Sequence, residues 1–192
     1  MVAASRTLLV LLAAGRSTRF GDADKLAAML AGKPLARHAV DALAPIAFLG
    51  RVAVVSGTAI DFAAWGYRPI LNPAPEDGLS ASVRLGAAAA REAGAAAALI
   101  VLADMPRISA GHVSRLLQAA RTADDVVASA DGDRTSPPAL FAAGRFADLM
   151  GVKGDEGGRA LIRGGIRVPA PADTLVDIDT PEDLARLSTL PA

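Results

Sequence analysis

The stretch Thr7–Leu26, TLLVLLAAGRSTRFGDADKL, decides the fold class of this chain. Its apolar run, Leu8 to Ala14, breaks at Gly15 and gives way to a small polar loop carrying Arg19, Gly21 and Lys25. An apolar run of this length ended by glycine reads as a strand buried on both faces, the kind found inside a parallel sheet. Open α/β sheets bind ligands beyond the carboxyl ends of such strands. Glycine lets the backbone approach a ligand, and free N–H groups with two cations can surround a polyphosphate. The segment therefore predicts a nucleotide site. It is not a Walker loop, because Gly32-Lys33 is followed by Pro34, and the Gly15 to Gly21 spacing fits no dinucleotide fingerprint.

Outward from this segment the chain alternates strand, loop and helix. A helix is expected over Pro34–Pro45, with strands over Arg51–Val55 and Arg68–Leu71 and a short helical piece over Ile60–Trp65 between them. A helix over Ser80–Ala93, a second fully apolar strand over Ala97–Ala103 and a helix over Ser109–Thr122 follow. Beyond Asp125 come a strand, an Asp131-Gly132 turn, a strand near Ala139–Phe141 and small helices around Arg145 and Arg159. Short strands over Ile166–Val168 and Leu175–Ile178 precede a last helix from Pro181. Such alternation implies a mostly parallel α/β sheet with helices on both faces, here as a single domain over residues 1–192.

Composition excludes several classes of function. The 20 Lys+Arg balance 20 Asp+Glu, so no general affinity for nucleic acid or anionic membrane is expected. The count of 0 cysteines removes disulfides, thiolate zinc sites and iron–sulfur clusters. His38 and His112 both fall in expected helices and read as packed or surface side chains, not ligands. No apolar run approaches the about 20 residues of a membrane span. Arg6 followed by an apolar core and small residues also has the outline of a secretory signal. The minimal positive charge and the polar loop after Gly15 favour a cytoplasmic enzyme.

Four further segments bear on chemistry. Leu99–Pro106, LIVLADMP, ends a buried strand in a carboxylate. Asp104 would emerge at the same sheet edge as Gly15, as a ligand for a hard cation or as a turn cap. Asn72–Gly86, NPAPEDGLSASVRLG, opens a helix whose first N–H groups and hydroxyls can hold phosphate or read a base edge. Ser80 is a good N-cap for that helix, whereas Ser82 has less structural reason to be there. In Leu175–Leu184, LVDIDTPEDL, Thr180 to Asp183 make a helix start. Strand alternation would place Asp177 and Asp179 on one face, where they repel unless a cation lies near. Gly154–Arg159, GDEGGR, is a glycine-rich turn with a guanidinium, either holding a substrate's phosphate or solvated at the opening of a helix.

Taken in order, these segments resemble the nucleotidyltransferases of the molybdopterin (NTP transferase) family. Leu12-Ala13-Ala14-Gly15, Ser17, Arg19, Gly21 and Lys25 fall on its first motif, with Phe20 where methionine is usual. The resemblance runs from Leu8 to Leu184 through five motifs in family order. It implies a three-layer, Rossmann-like nucleotidyltransferase fold with a mostly parallel, mixed central sheet. It also implies catalytic Arg19, Lys25 and Asp104, and Mg²⁺ on Asp104, Asp179 and Asp177. Nucleotide binding is implied for Leu12, Ala13, Ala14, Gly15, Ser17, Arg19, Gly21, Lys25, Asn72, Gly78, Ser80, Ser82 and Asp104. Arg134, Asp155, Gly157 and Arg159 are the implied acceptor-binding residues.

Ala14 stands where guanylyltransferases of the family carry glycine, which resembles the cytidylyltransferase branch. Arg134–Phe141, RTSPPALF, departs from it, with Ser136 and Pro137 replacing a glycine and a histidine on the acceptor side. The expected reaction is Mg²⁺-dependent transfer of CMP from CTP to the phosphate of molybdopterin, with pyrophosphate released. The product would serve a molybdoenzyme or its chaperone. GTP as donor, another phosphorylated acceptor, or a non-catalytic nucleotide-binding regulator are the alternatives.

Overall fold

The computed structural model describes residues 1–15, 20–21, 23–154 and 157–189. The apolar run of the first motif is strand β1 (Thr7–Ala13), buried along its whole length. A small hairpin, β2 (Met29–Leu30) with β3 (Lys33–Pro34), precedes helix α1 (Leu35–Leu43). Strands β4 (Gly50–Val55) and β5 (Arg68–Leu71), helix α2 (Leu79–Glu92), strand β6 (Ala97–Leu102) and helix α3 (Ala110–Ala119) come next. Strands β7 (Val126–Asp131) and β8 (Arg134–Ala142) form a hairpin, followed by α4 (Phe146–Met150), α5 (Gly157–Arg163), β9 (Ile166–Pro169) and α6 (Pro181–Ser188).

Seven strands form one sheet in the order β5-β4-β1-β6-β8-β7-β9. All pairs are parallel except those of β8, which runs antiparallel to both β6 and β7. Alternating residues of β1 feed two layers. Leu9, Leu11 and Ala13 pack in the layer containing α1 and α3, and Leu8, Val10 and Leu12 in the layer containing α2, α4 and α5. Helix α2 sits so close to β1 that a Cβ on Gly86 would lie 2.5 Å from Val10 Cγ1. Glycine is what that approach requires.

The registers explain where a ligand can go. Ala13 lies opposite Val55, and Leu12 opposite Leu102, so the loops after β1, β4 and β6 leave the sheet at one edge. Because β8 is antiparallel, its beginning at Arg134 reaches that same edge. The ladder between β7 and β8 shifts between Ala128 and Ser129, opposite Pro137-Pro138. Proline has no N–H for a ladder, and in a central strand it is tolerated at such a bulge.

Three expectations are corrected. Leu175–Ile178 is not a strand: it is a turn and then extended chain outside the sheet. Pro169 and Pro171 and the positive φ of Asp173 turn the chain off the edge of the sheet. Ile178 is then buried against Leu30, Leu35 and Leu187, so its apolar character serves packing under α6. Ile60–Trp65 is helical only as a 3-10 turn over Ala63–Trp65. The strand near Ala139–Phe141 is the end of the longer β8. Among the described residues no helix is long and apolar enough to cross a membrane.

Candidate active site

Three charged side chains that are distant in sequence meet at the carboxyl edge of β6. Lys25 opens a 3-10 turn, Lys25–Ala27, whose start is capped by Asp24 accepting from the Leu26 N–H. The lysine is only 7% exposed, and its Nζ lies 2.6 Å from Asp104 Oδ2 and 3.6 Å from Asp179 Oδ1. Asp104 lies two residues beyond the end of β6, held on one side by the Ala103 N–H donating to Leu12 O. On the other side the Ile178 N–H donates to the Asp104 carbonyl, which brings the Asp179 segment alongside. Asp179 is further anchored by the capping box of α6, in which Thr180 and Asp183 exchange hydrogen bonds.

Burial pushes the Asp104 carboxyl above its usual range; the Lys25 ammonium opposes that rise and the Asp177 charge adds to it. Asp104 Oδ1 is buried and has no hydrogen-bond partner among the described residues. A buried carboxylate oxygen with no donor is costly to keep, and it is an open ligand position for a hard cation. The described residues hold no group of three or more His, Asp or Glu side chains suited to a metal. Mg²⁺ does not require one, since it is commonly bound by one or two carboxylates together with substrate phosphates. Asp104 and Asp179, already gathered around one cation, fit that pattern.

Two cavities flank the charged cluster. One, of about 310 Å³, is lined by Ala13, Ala14, Gly15 and Gly21 from the first motif and by Ser56, Gly57 and Thr58 after β4. Among the described residues outside its chain neighbours, no atom lies within 4 Å of where a Cβ on Gly15 would stand. The other, of about 360 Å³, has apolar walls including Ile100, Met105 and Phe141, and carries Arg134, Arg159 and Asp177 at its polar side. Gly157 begins the helix α5 that presents Arg159. Leu12 lines this second cavity rather than the first.

The loop Asn72–Ser82 is built differently from the expectation. Gly78, with φ +76°, occupies the cap position of α2, and Ser80 lies inside the first turn. Its hydroxyl donates to the Asp77 carbonyl and accepts from Arg84, so it caps nothing. Ser82 has a structural role after all: buried, it accepts from Asn72 Nδ2 at 3.1 Å. Asn72 Oδ1 accepts from the Ala74 N–H, and its own N–H donates to Val55 O. Asn72 and Ser82 thus brace this loop. Gly78, Asn72, Ser80 and Ser82 do not line the 310 Å³ cavity.

Asp177 and Asp179 do not share a strand face: Asp177 lines the larger cavity, while Asp179 pairs with Lys25. Ser17, Arg19 and Asp155 lie outside the described residues. Sequence reasoning missed Asp24 and the Ser56-Gly57-Thr58 loop, which reads simply as the end of a strand. The parallel pairing of β1 with β4 was the available signal, because it carries both loops to one edge. His112 is packed as expected, buried with its Nε2 2.7 Å from Ser129 Oγ.

A model of the MobA-like NTP transferase domain matches residues 9–172. Purine catabolism protein PucB of Bacillus subtilis is 31% identical over 192 residues, covering 91% of this chain and 92% of that protein. Phosphoenolpyruvate guanylyltransferase of Rubrobacter xylanophilus is 37% identical over 115 residues, covering 57% of this chain and 56% of that one. The crystal structure of the Mycobacterium tuberculosis Rv0371c homologue from Mycobacterium sp. strain JC1 has a TM-score of 0.80 at 27% identity, covering 96% of each chain. With its sheet order, its charged cluster and these likenesses together, the chain belongs to the MobA-like NTP transferase family and is a nucleotidyltransferase.

Proposed function

We propose that this enzyme transfers CMP from CTP to the phosphate of molybdopterin, or of its molybdenum cofactor, and releases pyrophosphate. The observation that carries the reading is the cluster of Lys25, Asp104 and Asp179, with the buried Asp104 Oδ1 lacking a partner among the described residues. Mg²⁺ held by Asp104 and Asp179 would supply Lewis-acid polarisation of the reacting phosphates. Asp177 stands near enough to add negative charge to the same region.

The chain's own residues do the remaining work by position and charge. An oxygen of the acceptor phosphate bonds to the α-phosphorus of CTP as the bond from that phosphorus to the β-phosphate bridging oxygen breaks. Pyrophosphate leaves with the electron pair. The attacking oxygen is already ionised, so no general base is required, in keeping with His38 and His112 both being engaged in helix packing contacts. Lys25 holds the two carboxylates together and directs positive charge at the phosphoryl oxygens. Arg19 is assigned the charge that develops on the leaving group, with Ser17 and the backbone at Gly15 and Gly21 around the phosphates.

The smaller cavity, walled by Ala13, Ala14, Gly15 and Gly57, suits the nucleoside, and the Ala14 methyl favours a pyrimidine over a purine. The larger cavity suits the acceptor. Apolar walls there accommodate a planar heterocycle, while Arg134 and Arg159, with Asp155 and Gly157 in the adjoining turn, would meet its phosphate. The reaction would take place in the cytoplasm, and a molybdoenzyme or its chaperone would receive the product. GTP as donor is the second reading, favoured by the 37% identity to a guanylyltransferase.

Pyrophosphate release with Mg²⁺, comparing CTP, GTP, ATP and UTP with and without molybdopterin, tests the proposal. Release that requires both CTP and molybdopterin is the expected result. Release with GTP instead moves the donor to the second reading. Binding of CTP without cofactor-dependent release keeps the donor and replaces the acceptor by another phosphorylated small molecule.

A further inference from the structure

One carboxylate joins the two loops that wall the smaller cavity. Asp24 Oδ1 accepts from the Leu26 N–H at 3.0 Å, which caps the turn carrying Lys25. Asp24 Oδ2 accepts from Thr58 Oγ1 at 2.7 Å and from the Ala59 N–H at 2.8 Å, both in the loop after β4. Thr58 Oγ1 in turn accepts from the Ile60 N–H at 3.2 Å. The β1 loop supplies Ala13, Ala14, Gly15 and Gly21 to the cavity, and the β4 loop supplies Ser56, Gly57 and Thr58. Small side chains and glycine give such loops little apolar packing of their own. Charge-assisted hydrogen bonds to a single carboxylate then join them directly.

We propose that Asp24 is a positioning residue, whose carboxylate sets the width of this cavity through Oδ2 and the placement of Lys25 through Oδ1. The two oxygens act on different parts of the reaction. The tether to Thr58 and Ala59 shapes the nucleoside end, so it governs nucleotide affinity. The cap on Leu26 holds Lys25 beside Asp104, so it governs turnover. The inference rests on the reading of this cavity as the nucleotide site.

The chemistry of the side chain separates the two roles. In Asp24→Asn one carbonyl oxygen remains to cap Leu26, but the amide NH₂ replaces the oxygen that accepted from Ala59, so donor faces donor. Thr58→Val removes only the hydroxyl donor at nearly constant volume. Asp24→Ala removes both functions. Steady-state kinetics of the full chain should show the nucleotide KM rising about tenfold in Asp24→Asn, the size of one charge-assisted hydrogen bond, and by less in Thr58→Val. Both should keep kcat near the wild-type value. Asp24→Ala should lose kcat as well, assayed well below its own melting temperature.

Hydrogen–deuterium exchange on the nucleotide-free protein gives an independent readout. Amides of Ala59 and Ile60 should exchange faster in Asp24→Asn, with those of β6 unchanged. Wild-type exchange at Ala59 and Ile60 in that variant would overturn the tether. An unchanged nucleotide KM in both Asp24→Asn and Thr58→Val would overturn its role in binding, even where melting temperature falls. If the wild-type protein binds no nucleoside triphosphate, the nucleotide reading of the cavity fails, and the exchange result still decides whether Asp24 holds the loops together.

Discussion

The two cavities at the carboxyl edge are made from opposite materials. The smaller is walled by glycine, alanine and short polar side chains on loops after parallel strands, beside a buried lysine and its two carboxylates. The larger has an apolar floor on β6 and β8, where the sheet turns antiparallel, with arginines above it. Small side chains and backbone leave room for a nucleoside, and the fixed charge beside them suits its polyphosphate. An apolar floor with a charged margin suits a partner recognised by its shape. On the proposed reading, reaction and acceptor choice are carried by different halves of one sheet, and substitutions should separate them.

The largest effect is expected at the charged cluster. Asp104→Asn should lower turnover on the order of 10³-fold while leaving measurable CTP binding, because the group acts on charge developing in the transition state. Turnover near wild type would remove Asp104 from the reaction and dissolve the distinction between the halves. Lys25→Met should lower turnover on the order of 10²-fold. It should also lower the melting temperature, since Asp104 and Asp179 would then face each other without the ammonium between them.

In the other half, Arg159→Ala should raise the acceptor KM about tenfold, the size of one charge-assisted contact, with the nucleotide KM unchanged. A parallel rise in both constants would mean the cavities are not separate sites. The pH dependence of stability probes the same half through His112, which packs beneath β7 and β8. Ser129 Oγ donates to Pro138 O, so the Nε2–H of His112 must donate to Ser129, and Nδ1 is left to accept from Arg115. Burial, and then the Arg115 charge, hold the imidazole below its ordinary value of 6.5. The unfolded chain therefore takes up this proton first. The contribution of neutral His112 is complete above pH 6.5 and is lost as pH falls below it. Melting temperatures between pH 8 and pH 5 should show that slope in the wild type and a shallower one in His112→Gln; equal slopes would remove His112 as its source.

The smallest expected effect is at the helix that anchors Asp179. Thr180→Ala removes the capping box of α6 and should cost about 1 kcal/mol. For a chain of this length that is a fall in melting temperature of about 2–4 °C. Nucleotide and acceptor constants should hardly move, because the Ile178–Asp104 backbone bond still places the segment.

Much of this organisation was legible beforehand, for particular reasons. The β1 and β6 runs are buried on both faces, so hydrophobicity alone marks them. Thr180-Pro181-Glu182-Asp183 is a local motif whose hydrogen bonds span three residues, and it forms as read. Asp104 was recognisable because a carboxylate at the end of an apolar strand is rarely idle. Local rules failed where long-range packing took over. Leu175–Ile178 alternates like a strand, yet Ile178 is spent on the cluster with Leu30, Leu35 and Leu187, and the sheet has no place for it. Ser80 has the chemistry of an N-cap, but Gly78 reaches the required backbone angle and takes the position.

Periodicity and turn residues were enough for the fold class and most element positions, because each depends on contacts within a few residues or on burial. Which side chains meet was decided by strand register and by the route of the chain after β9. Lys25 and Asp104 are 79 residues apart and touch only because β1 and β6 are paired neighbours. Asp177 and Asp179, two residues apart, line a cavity and complete an ion pair respectively, because the segment leaves the sheet before reaching them. The Asp24 tether to Thr58 has the same origin: neither residue carries a signal alone, and the parallel pairing of β1 with β4 brings them within hydrogen-bonding distance.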